Sequence, residues 1–313
     1  MTAINLSYVL TTYNKLRYLE VTIPLLIKNI QPDEEIIIVD GGSTDGSFNY
    51  LNKLSKAGKI HHFISEKDFG ESHGFNKGTF LSTGKLIKYL SDDDVYDFEI
   101  IRKCKKFMLA NPKFDALIAN VCNLNLKIIE PEINFIKTYE VWFKEWIEEK
   151  TPNCFFCCLP LLVKKESIAH LGLFDSSFKH ADFEYSVRIT TQKAKIAFYT
   201  DIMVTAVQNA SSISQNYGSI VGREVERVSK YYNYNYPVGP IKQTTLYSQT
   251  LFEKFFTKIR LGNYNNSNQQ CYPDYNYKLK ERITYTRLDN LFEEVLLIMC
   301  EFNKSNKGEF ITN

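Results

Sequence analysis

Apolar and polar positions alternate along roughly the first 120 residues in a way that predicts strands and helices in turn, which is typical of a parallel sheet covered by helices. Short apolar runs mark the strands. The run Ile36–Val39 is continuously β-branched, as expected of a strand that is buried on both faces. The predicted strands are Leu6–Thr12, Glu35–Asp40, Ile60–Ser65, Gly84–Leu90 and Phe114–Val121.

Helical periodicity falls between these strands. One predicted helix, Ser72–Thr83, begins at a residue type that caps helices well and is followed by Gly84, a common C-terminal residue. Another, Asp97–Ala110, gathers its apolar residues on one stripe and is stopped by an Asn-Pro pair. The pattern over Leu16–Ile30 contains Pro24, so this helix is expected to be kinked or shorter than the pattern suggests.

The regular alternation lapses between residues 123 and 153 and then resumes. The later predictions are a strand at Leu161–Lys164, a helix that ends at Leu171, a helix from about Asp182 and strands near 195–208. After residue 214 the composition shifts to Tyr- and Asn-rich loops between helical patterns, which predicts a helical C-terminal appendage. We therefore expect a main domain at 1–213 and a helical region at 214–313.

Part of this helical region is amphipathic. The stretch from Leu246 to Arg260 has apolar residues at helical spacing with basic flanks. Packing against the main domain is the first interpretation. Peripheral contact with a membrane and self-association into a homo-oligomer are the alternatives.

The composition narrows the class of protein. Apolar residues make up 44% and charged residues 24%, as in soluble globular proteins, and 38 basic against 36 acidic residues give a net charge of +2. This balance gives no reason to expect a nucleic acid partner, because phosphate binding usually shows as a basic excess. No stretch is apolar enough to span a bilayer, and the N-terminal residues lack the features of a signal peptide. The seven irregularly spaced cysteines are expected to be reduced thiols of a cytoplasmic protein.

Three polar clusters follow predicted parallel strands, at the sheet edge where open α/β sheets bind ligands. They are Thr11–Asn14, Asp40–Gly46 and Ser91–Asp94. The glycine-rich turn of the second cluster lacks the lysine of an NTPase phosphate-binding loop and the spacing of a dinucleotide-binding turn. The adjacent carboxylates of the third repel one another unless a positive charge lies between them. Mg²⁺ or Mn²⁺ would meet this need with one or two carboxylates plus substrate phosphates as ligands, and a solvated helix cap is the alternative.

These motifs, in this order, resemble those of the inverting nucleotide-sugar transferases of glycosyltransferase family 2, which have the GT-A fold. The matching segments are SYVLTTYN, EIIIVDGGSTDGS, ISEKDFGESHGFNKG and GKLIKYLSDDDVY, and the resemblance covers roughly residues 5–210. It implies an α/β protein whose mostly parallel twisted sheet is flanked by helices.

The resemblance also assigns residues to the donor. Tyr13 would stack on the base of the donor nucleotide, Thr11 would line its pocket, and Asp40 would accept a hydrogen bond from the base. The remaining assignments are Asp68 and Asn76 near the donor, Asp92 at the ribose, Asp93 as the main metal ligand and Asp94 as its support, directly or through water. The implied cofactor is Mn²⁺ or Mg²⁺.

The segment HLGLFDSSFKHADFEYSVR resembles the acceptor-side element of the same family, whose last Asp is the general base. That position is Asp182. Glu184 is the rival, but residues two apart on a helix point to roughly opposite sides, so only one of them can face the site. We favour Asp182.

The sequence departs from the family pattern at several positions. Gly41 stands where the family has a second Asp, Ser91 where it has the first Asp of its metal motif, Phe69 where a basic residue is common, and Ala181 where it has an acid. The predicted function is transfer of a sugar, with a UDP-sugar as the expected donor, to a carbohydrate or lipid-linked glycan in polysaccharide or glycan synthesis, in the cytoplasm or at the inner face of the membrane. A non-catalytic nucleotide-sugar-binding or scaffolding module is the alternative, followed by a sugar-phosphate nucleotidyltransferase.

Overall fold

The computed structural model describes residues 3–126, 132–135, 138–208, 218–234, 277–278 and 288–312. Eleven strands of these described residues form one sheet with helices packed on it. The strands are β1 (Leu6–Thr12), β2 (Glu34–Asp40), β3 (His62–Ser65), β4 (Leu86–Leu90), β5 (Val95–Tyr96), β6 (Ala116–Asn125), β7 (Glu132–Phe135), β8 (Leu162–Lys164), β9 (Ile196–Gln208), β10 (Tyr277–Lys278) and β11 (Phe310–Thr312). The helices are α1 (Leu16–Asn29), α2 (Ser47–Lys56), α3 (Glu71–Leu81), α4 (Phe98–Ala110), α5 (Thr138–Ile147), α6 (Ile168–Leu171), α7 (Ala181–Thr191), α8 (Gly218–Tyr232) and α9 (Leu288–Asn306).

One half of the sheet is parallel and has the order β3-β2-β1-β4. Every residue of β1, β2 and β4 is buried, as expected of parallel strands covered on both faces. The register sets Thr12 beside Asp40 and Asp40 beside Ser65, so the carboxyl ends of three strands are level. The predicted α/β class, with a parallel sheet between helices, is confirmed for this half.

The other half of the sheet is mixed. Strand β8 is antiparallel to both β4 and β6, whereas β6 and β9 are parallel over most of their length. The short strand β5 also pairs with β9, antiparallel, and so brings the segment that follows β4 against the long strand.

Local chemistry sets several element boundaries. The Asp97 side chain accepts hydrogen bonds from the backbone N–H groups of Glu99 at 2.9 Å and Ile100 at 3.2 Å, so it caps α4 as its position suggests. Helix α1 continues through Pro24 and is not shortened by it. Helix α3 begins at Glu71 after a glycine with a φ of 122°, a conformation that favours glycine, rather than at the expected Ser cap.

The described C-terminal residues share the core of the main sheet. The Asn303 side chain on α9 donates to the carbonyl of Ile202 and accepts from its N–H, both at 2.9 Å, and thereby binds the edge of β9. The Phe302 ring stacks on Phe135 with ring centroids 4.5 Å apart, and β11 adds to β9. These residues extend the main domain instead of standing apart from it, and the division at 213 stays a prediction.

The amphipathic stretch 246–260 lies outside the described residues, and none of the described helices is long and apolar enough to cross a bilayer.

Candidate active site

The segment Ser91–Asp94 leaves the end of β4 and places its carboxylates beside the loop that follows β1. Asp92 accepts a hydrogen bond from the hydroxyl of Thr12 at 2.7 Å, and Asp93 forms an ion pair with Lys15, also at 2.7 Å. Burial, and then the adjacent charge of Asp93, raise the pKa of Asp92 well above its usual value. Burial alone would lower the pKa of Lys15, but the charges of Asp93 and Asp92 outweigh it and raise that pKa.

Asp94 has a different environment. One of its oxygens accepts the backbone N–H of Val207 at 2.7 Å, and the other accepts the Ser91 hydroxyl. The side chain is buried and joins the turn after β4 to strand β9. This arrangement gives Asp94 a structural role, and its predicted support of a metal ion stays a prediction.

Asp40 lies beneath the glycine-rich turn after β2. Its carboxylate accepts the hydroxyl of Ser65 at 2.6 Å and both the N–H and the hydroxyl of Ser43, and it has no exposed surface. The turn itself uses Gly42 and Gly46, whose φ values of 84° and 101° favour glycine. Asp40 therefore stabilises the turn, and its predicted bond to a donor base stays a prediction.

Asn14 ties the glycine-rich turn to the end of β1. Its side-chain oxygen accepts the N–H of Thr44 at 2.8 Å, and its own N–H donates to the hydroxyl of Ser43 at 2.8 Å. The neighbouring Tyr13 ring is 60% exposed, so it is available to stack on a flat ligand beside these loops.

Thr11, Asp68, Gly41 and Gly74 meet behind this edge. A Cβ atom on Gly41 would lie 3.1 Å from a carboxylate oxygen of Asp68, and one on Gly74 would lie 2.7 Å from the Thr11 methyl group. The absence of side chains at both glycines lets the loop after β3 and helix α3 approach the strand ends. The departure from the family pattern at Gly41 thus has a physical reason, because Asp68 fills the adjacent space.

Asn76 lies on α3 and contacts the second half of the chain. Its side chain donates to the carbonyl of Phe174 at 2.8 Å and accepts the Phe174 N–H at 3.1 Å. Both polar ends of the amide therefore bind this backbone, and the predicted donor contact of Asn76 stays a prediction.

Two acidic residues lie in the first turn of helix α7, and they differ in burial and in hydrogen-bond partners. Glu184 is buried and holds Arg188 with two hydrogen bonds of 2.8 and 3.1 Å, while Tyr232 of α8 donates to it at 3.1 Å. The Asp182 side chain is 23% exposed and lies 3.4 Å from the Nε2 atom of His180. Of the two rivals, only Asp182 is placed to meet a ligand from solvent.

Contacts between loops connect Asp182 with the strand ends. The Lys179 ammonium donates to the carbonyl of Phe69 at 3.2 Å, which holds the segment before α7 against the loop after β3. The charges of Asp182 and Glu71 both raise the pKa of the buried Cys158 thiol, after burial itself. The charge of Glu71 also adds to the rise in the pKa of Asp92, so Glu71 lies within electrostatic range of both Cys158 and Asp92.

Helix α8 holds the backbone that enters α7. The Glu224 carboxylate accepts the N–H of Lys179 at 2.9 and 3.0 Å and the N–H of His180 at 2.9 Å. These donors lie just before the first turn of α7, where backbone N–H groups have no partner within the helix. Sequence reasoning missed Glu224, because no spacing or motif connects it with residues more than forty positions earlier.

Lys15 is not among the residues predicted for the site either, although the sequence contains a signal for it. Three adjacent carboxylates require a positive charge nearby, and Lys15 directly follows the first polar cluster.

The number of acidic residues at this edge of the sheet is compatible with a divalent cation that also binds a substrate diphosphate. Mg²⁺ and Mn²⁺ need only one or two carboxylates when a substrate diphosphate supplies further oxygens, and Asp93, with Asp92 beside it, meets that requirement. Within the described part of the chain, no three His, Cys, Asp or Glu side chains are grouped as a metal site.

Part of this chain is similar in sequence to curated proteins. A Bacillus subtilis protein named as a teichuronic acid biosynthesis glycosyltransferase, TuaG, is 30% identical over 104 residues, which cover 33% of this chain and 41% of TuaG. The matches span 29% to 42% of the length of the first curated relatives.

Solved structures share the fold at low sequence identity. S. aureus TarS (residues 1–349, with UDP) superposes with a TM-score of 0.54 and 16% identity, covering 82% of this chain and 71% of that one. A Pyrobaculum calidifontis mannosyltransferase with GDP-Man and Mn²⁺ superposes with a TM-score of 0.53 and 14% identity, covering 97% and 88%. These are GT-A fold transferases, so the predicted fold is confirmed. The family model of glycosyl transferase family 2 matches residues 7–171, more than half of the sequence, and the chain therefore belongs to that family.

Proposed function

We propose that this protein transfers a sugar from a nucleoside diphosphate donor, with a UDP-sugar as the first candidate, to a hydroxyl of a carbohydrate or lipid-linked glycan. The observation that supports this most is the contrast between four acidic side chains. Asp93 and Asp182 are partly exposed, with 14% and 23% of their side chains accessible, whereas Asp94 and Glu184 are buried in structural hydrogen bonds. In the proposed reaction one carboxylate acts as the base toward the acceptor, and the other holds a cation toward the donor diphosphate.

Asp182 is proposed to act as the general base. It would take the proton of the acceptor hydroxyl while that oxygen forms a bond to the anomeric carbon of the donor sugar. The bond from the anomeric carbon to the diphosphate breaks at the same time, and the nucleoside diphosphate leaves with the electron pair. Because the acceptor enters opposite the leaving group, a single displacement inverts the anomeric configuration.

Other residues are proposed to hold the donor. Tyr13 would stack on the base, Thr11 and Asp68 would line the pocket, and Asp92 would reach the ribose. Asp93 would hold a divalent cation together with the diphosphate, and such an ion supplies positive charge for the oxygens of the leaving group. The Mn²⁺ in the mannosyltransferase and the UDP in TarS are consistent with this assignment.

The acceptor class draws on the relatives. TuaG is named for teichuronic acid biosynthesis, which favours a polysaccharide or glycan as the acceptor here. A cytoplasmic location, peripheral membrane contact and self-association stay predictions.

The test is acceptor-dependent release of nucleoside diphosphate from a panel of UDP-, GDP- and dTDP-sugars, with the anomeric configuration of the product read by NMR. We expect turnover with one donor, inversion, and a loss of about 10²-fold or more in Asp182→Asn with unchanged donor affinity. Asp289→Asn, at an exposed position on α9, is the matched control. Donor binding without turnover by the wild type would instead indicate a nucleotide-sugar-binding module, and retention of configuration would exclude the single displacement.

A further inference from the structure

Lys15 ends the loop after β1 and reaches the carboxylate proposed to bind a cation. Its ammonium lies 2.7 Å from an oxygen of Asp93, and both side chains are only 14% exposed. The backbone of Lys15 is fixed, because its carbonyl accepts the N–H groups of Tyr18 and Leu19 at 2.9 and 3.0 Å at the start of α1. The four-carbon side chain remains long enough to relocate its charge without moving that backbone.

This ion pair supplies the positive charge that the acidic cluster requires. Asp92 and Asp93 are adjacent in the chain, and their mutual repulsion is relieved by Lys15 and by the hydroxyl of Thr12. Lys15 thus offsets one of the two adjacent negative charges without a metal ion.

A divalent cation and the Lys15 ammonium compete for the same carboxylate. If both were close to Asp93, their positive charges would repel each other at short range, where the surrounding protein screens charge less well than water does. A cation on Asp93 would therefore favour withdrawal of Lys15. A donor diphosphate offers the withdrawn ammonium new acceptor oxygens, because phosphate oxygens bind lysine readily.

We propose that Lys15 occupies Asp93 in the unliganded protein and makes cation binding depend on the nucleotide, with the ammonium transferring from Asp93 to the diphosphate when metal and nucleotide bind together. Lys15 is then a positioning and selectivity residue that discourages binding of metal alone. This inference rests on the proposed function, since it assumes a nucleoside diphosphate as the ligand. By linkage, the metal must raise the affinity for the nucleotide by the same factor as the nucleotide raises the affinity for the metal.

The test is a titration of Mn²⁺, followed by the electron paramagnetic resonance signal of the unbound ion, with and without UDP. The variants are Lys15→Gln, Lys15→Arg, which keeps the charge, and Lys56→Gln, which removes an exposed lysine of α2. Without UDP we expect Lys15→Gln to bind Mn²⁺ about tenfold more tightly than the wild type, as the loss of a partly buried competing charge allows. Lys15→Arg and Lys56→Gln should remain close to the wild type, and the factor by which UDP raises Mn²⁺ affinity should shrink in Lys15→Gln.

Equal or weaker Mn²⁺ binding by Lys15→Gln without UDP overturns the proposal, including the case in which no protein binds the ion. Thermal unfolding of each variant verifies that it is folded. The experiment distinguishes a wrong role for Lys15 from a wrong assignment of the donor. If wild type binds UDP with Mn²⁺ but Lys15→Gln gains no affinity for the ion, only the role of Lys15 is wrong. If UDP never binds while Lys15→Gln still gains affinity, the donor assignment is wrong and the competition at Asp93 stands.

Discussion

Asn76 and Phe174 are joined by a reciprocal pair of hydrogen bonds that connects helix α3 with the segment before helix α7. The amide nitrogen of Asn76 donates to the Phe174 carbonyl at 2.8 Å, and its oxygen accepts the Phe174 N–H at 3.1 Å, across 98 positions of sequence. This pair fixes the path of the chain that leads to Asp182 relative to the half that carries Asp93. One side chain thus helps to set the geometry of the proposed site.

Removing that amide should cost stability. Asn76→Ala leaves one backbone donor and one acceptor of Phe174 without their partner, and we expect a loss of about 2 kcal/mol in the free energy of unfolding. Denaturant unfolding measures this difference. Asn49→Ala, at an exposed position on α2, is the control and should change the stability by less than about 0.5 kcal/mol. Equal effects of the two substitutions would contradict the structural role of Asn76.

Introducing at position 41 the acidic residue of the family pattern should lower the thermal stability of this protein. A side chain there begins 3.1 Å from the Asp68 carboxylate, so Gly41→Asp brings like charges together, whereas Gly41→Ala adds only bulk. We expect Gly41→Asp to lower the thermal unfolding midpoint more than Gly41→Ala at pH 7, and the gap between them to narrow at pH 4. A gap that does not change with pH would mean that steric crowding alone is responsible.

Glu224 should affect turnover more than donor binding. Its carboxylate holds the two N–H groups that precede α7, so its removal loosens the placement of Asp182 while leaving the donor residues in place. We expect Glu224→Ala to reduce kcat about tenfold at unchanged UDP affinity. Glu224→Gln, which retains an oxygen acceptor, should recover most of the activity. Glu226→Ala, exposed on the same helix, is the control. A parallel loss of UDP affinity would indicate general destabilisation instead.

Glu35 predicts a pH dependence of stability. Burial alone would raise the pKa of this carboxyl, but hydrogen bonds from Ser7 and from the Thr83 and Gly84 backbone N–H groups outweigh it and lower the pKa. A carboxyl with a lowered pKa in the folded state stabilises the protein above its unfolded pKa of about 4.3, and this contribution is lost as the pH falls through the folded value.

The measurement is the free energy of unfolding of the wild type and of Glu35→Gln from pH 7 to pH 3. We expect the deficit of the variant to be largest near pH 7 and to shrink below about pH 4. A deficit that stays constant across this range would show that the charge of Glu35 contributes nothing.

The sequence predicts the parallel half of the fold well. Its strands are continuous apolar runs that end in polar residues, and a parallel register necessarily brings those ends to one edge, as Thr12 and Asp40 show. The roles of individual side chains at that edge are less predictable. Asp40, Asp94 and Asn76 lie where the motifs suggest, but their hydrogen bonds are made to the protein itself.

The reason is that a motif fixes position along the chain and says nothing about which neighbours satisfy a polar group. Glu224 illustrates this most clearly, because its partners come from a distant segment. Helix geometry could indicate that only one of Asp182 and Glu184 faces the site, whereas the partner of Glu184, Arg188, becomes evident only in the folded chain.

The most direct test of the central claim is an isothermal titration of UDP, GDP and dTDP, each with and without Mn²⁺, against the wild type and Asp93→Asn. We predict that one nucleotide binds, that Mn²⁺ strengthens its binding, and that Asp93→Asn removes this gain while the protein stays folded. Failure of all three nucleotides to bind the folded wild type, or binding that is indifferent to both Mn²⁺ and Asp93, would contradict a donor site at this edge of the sheet.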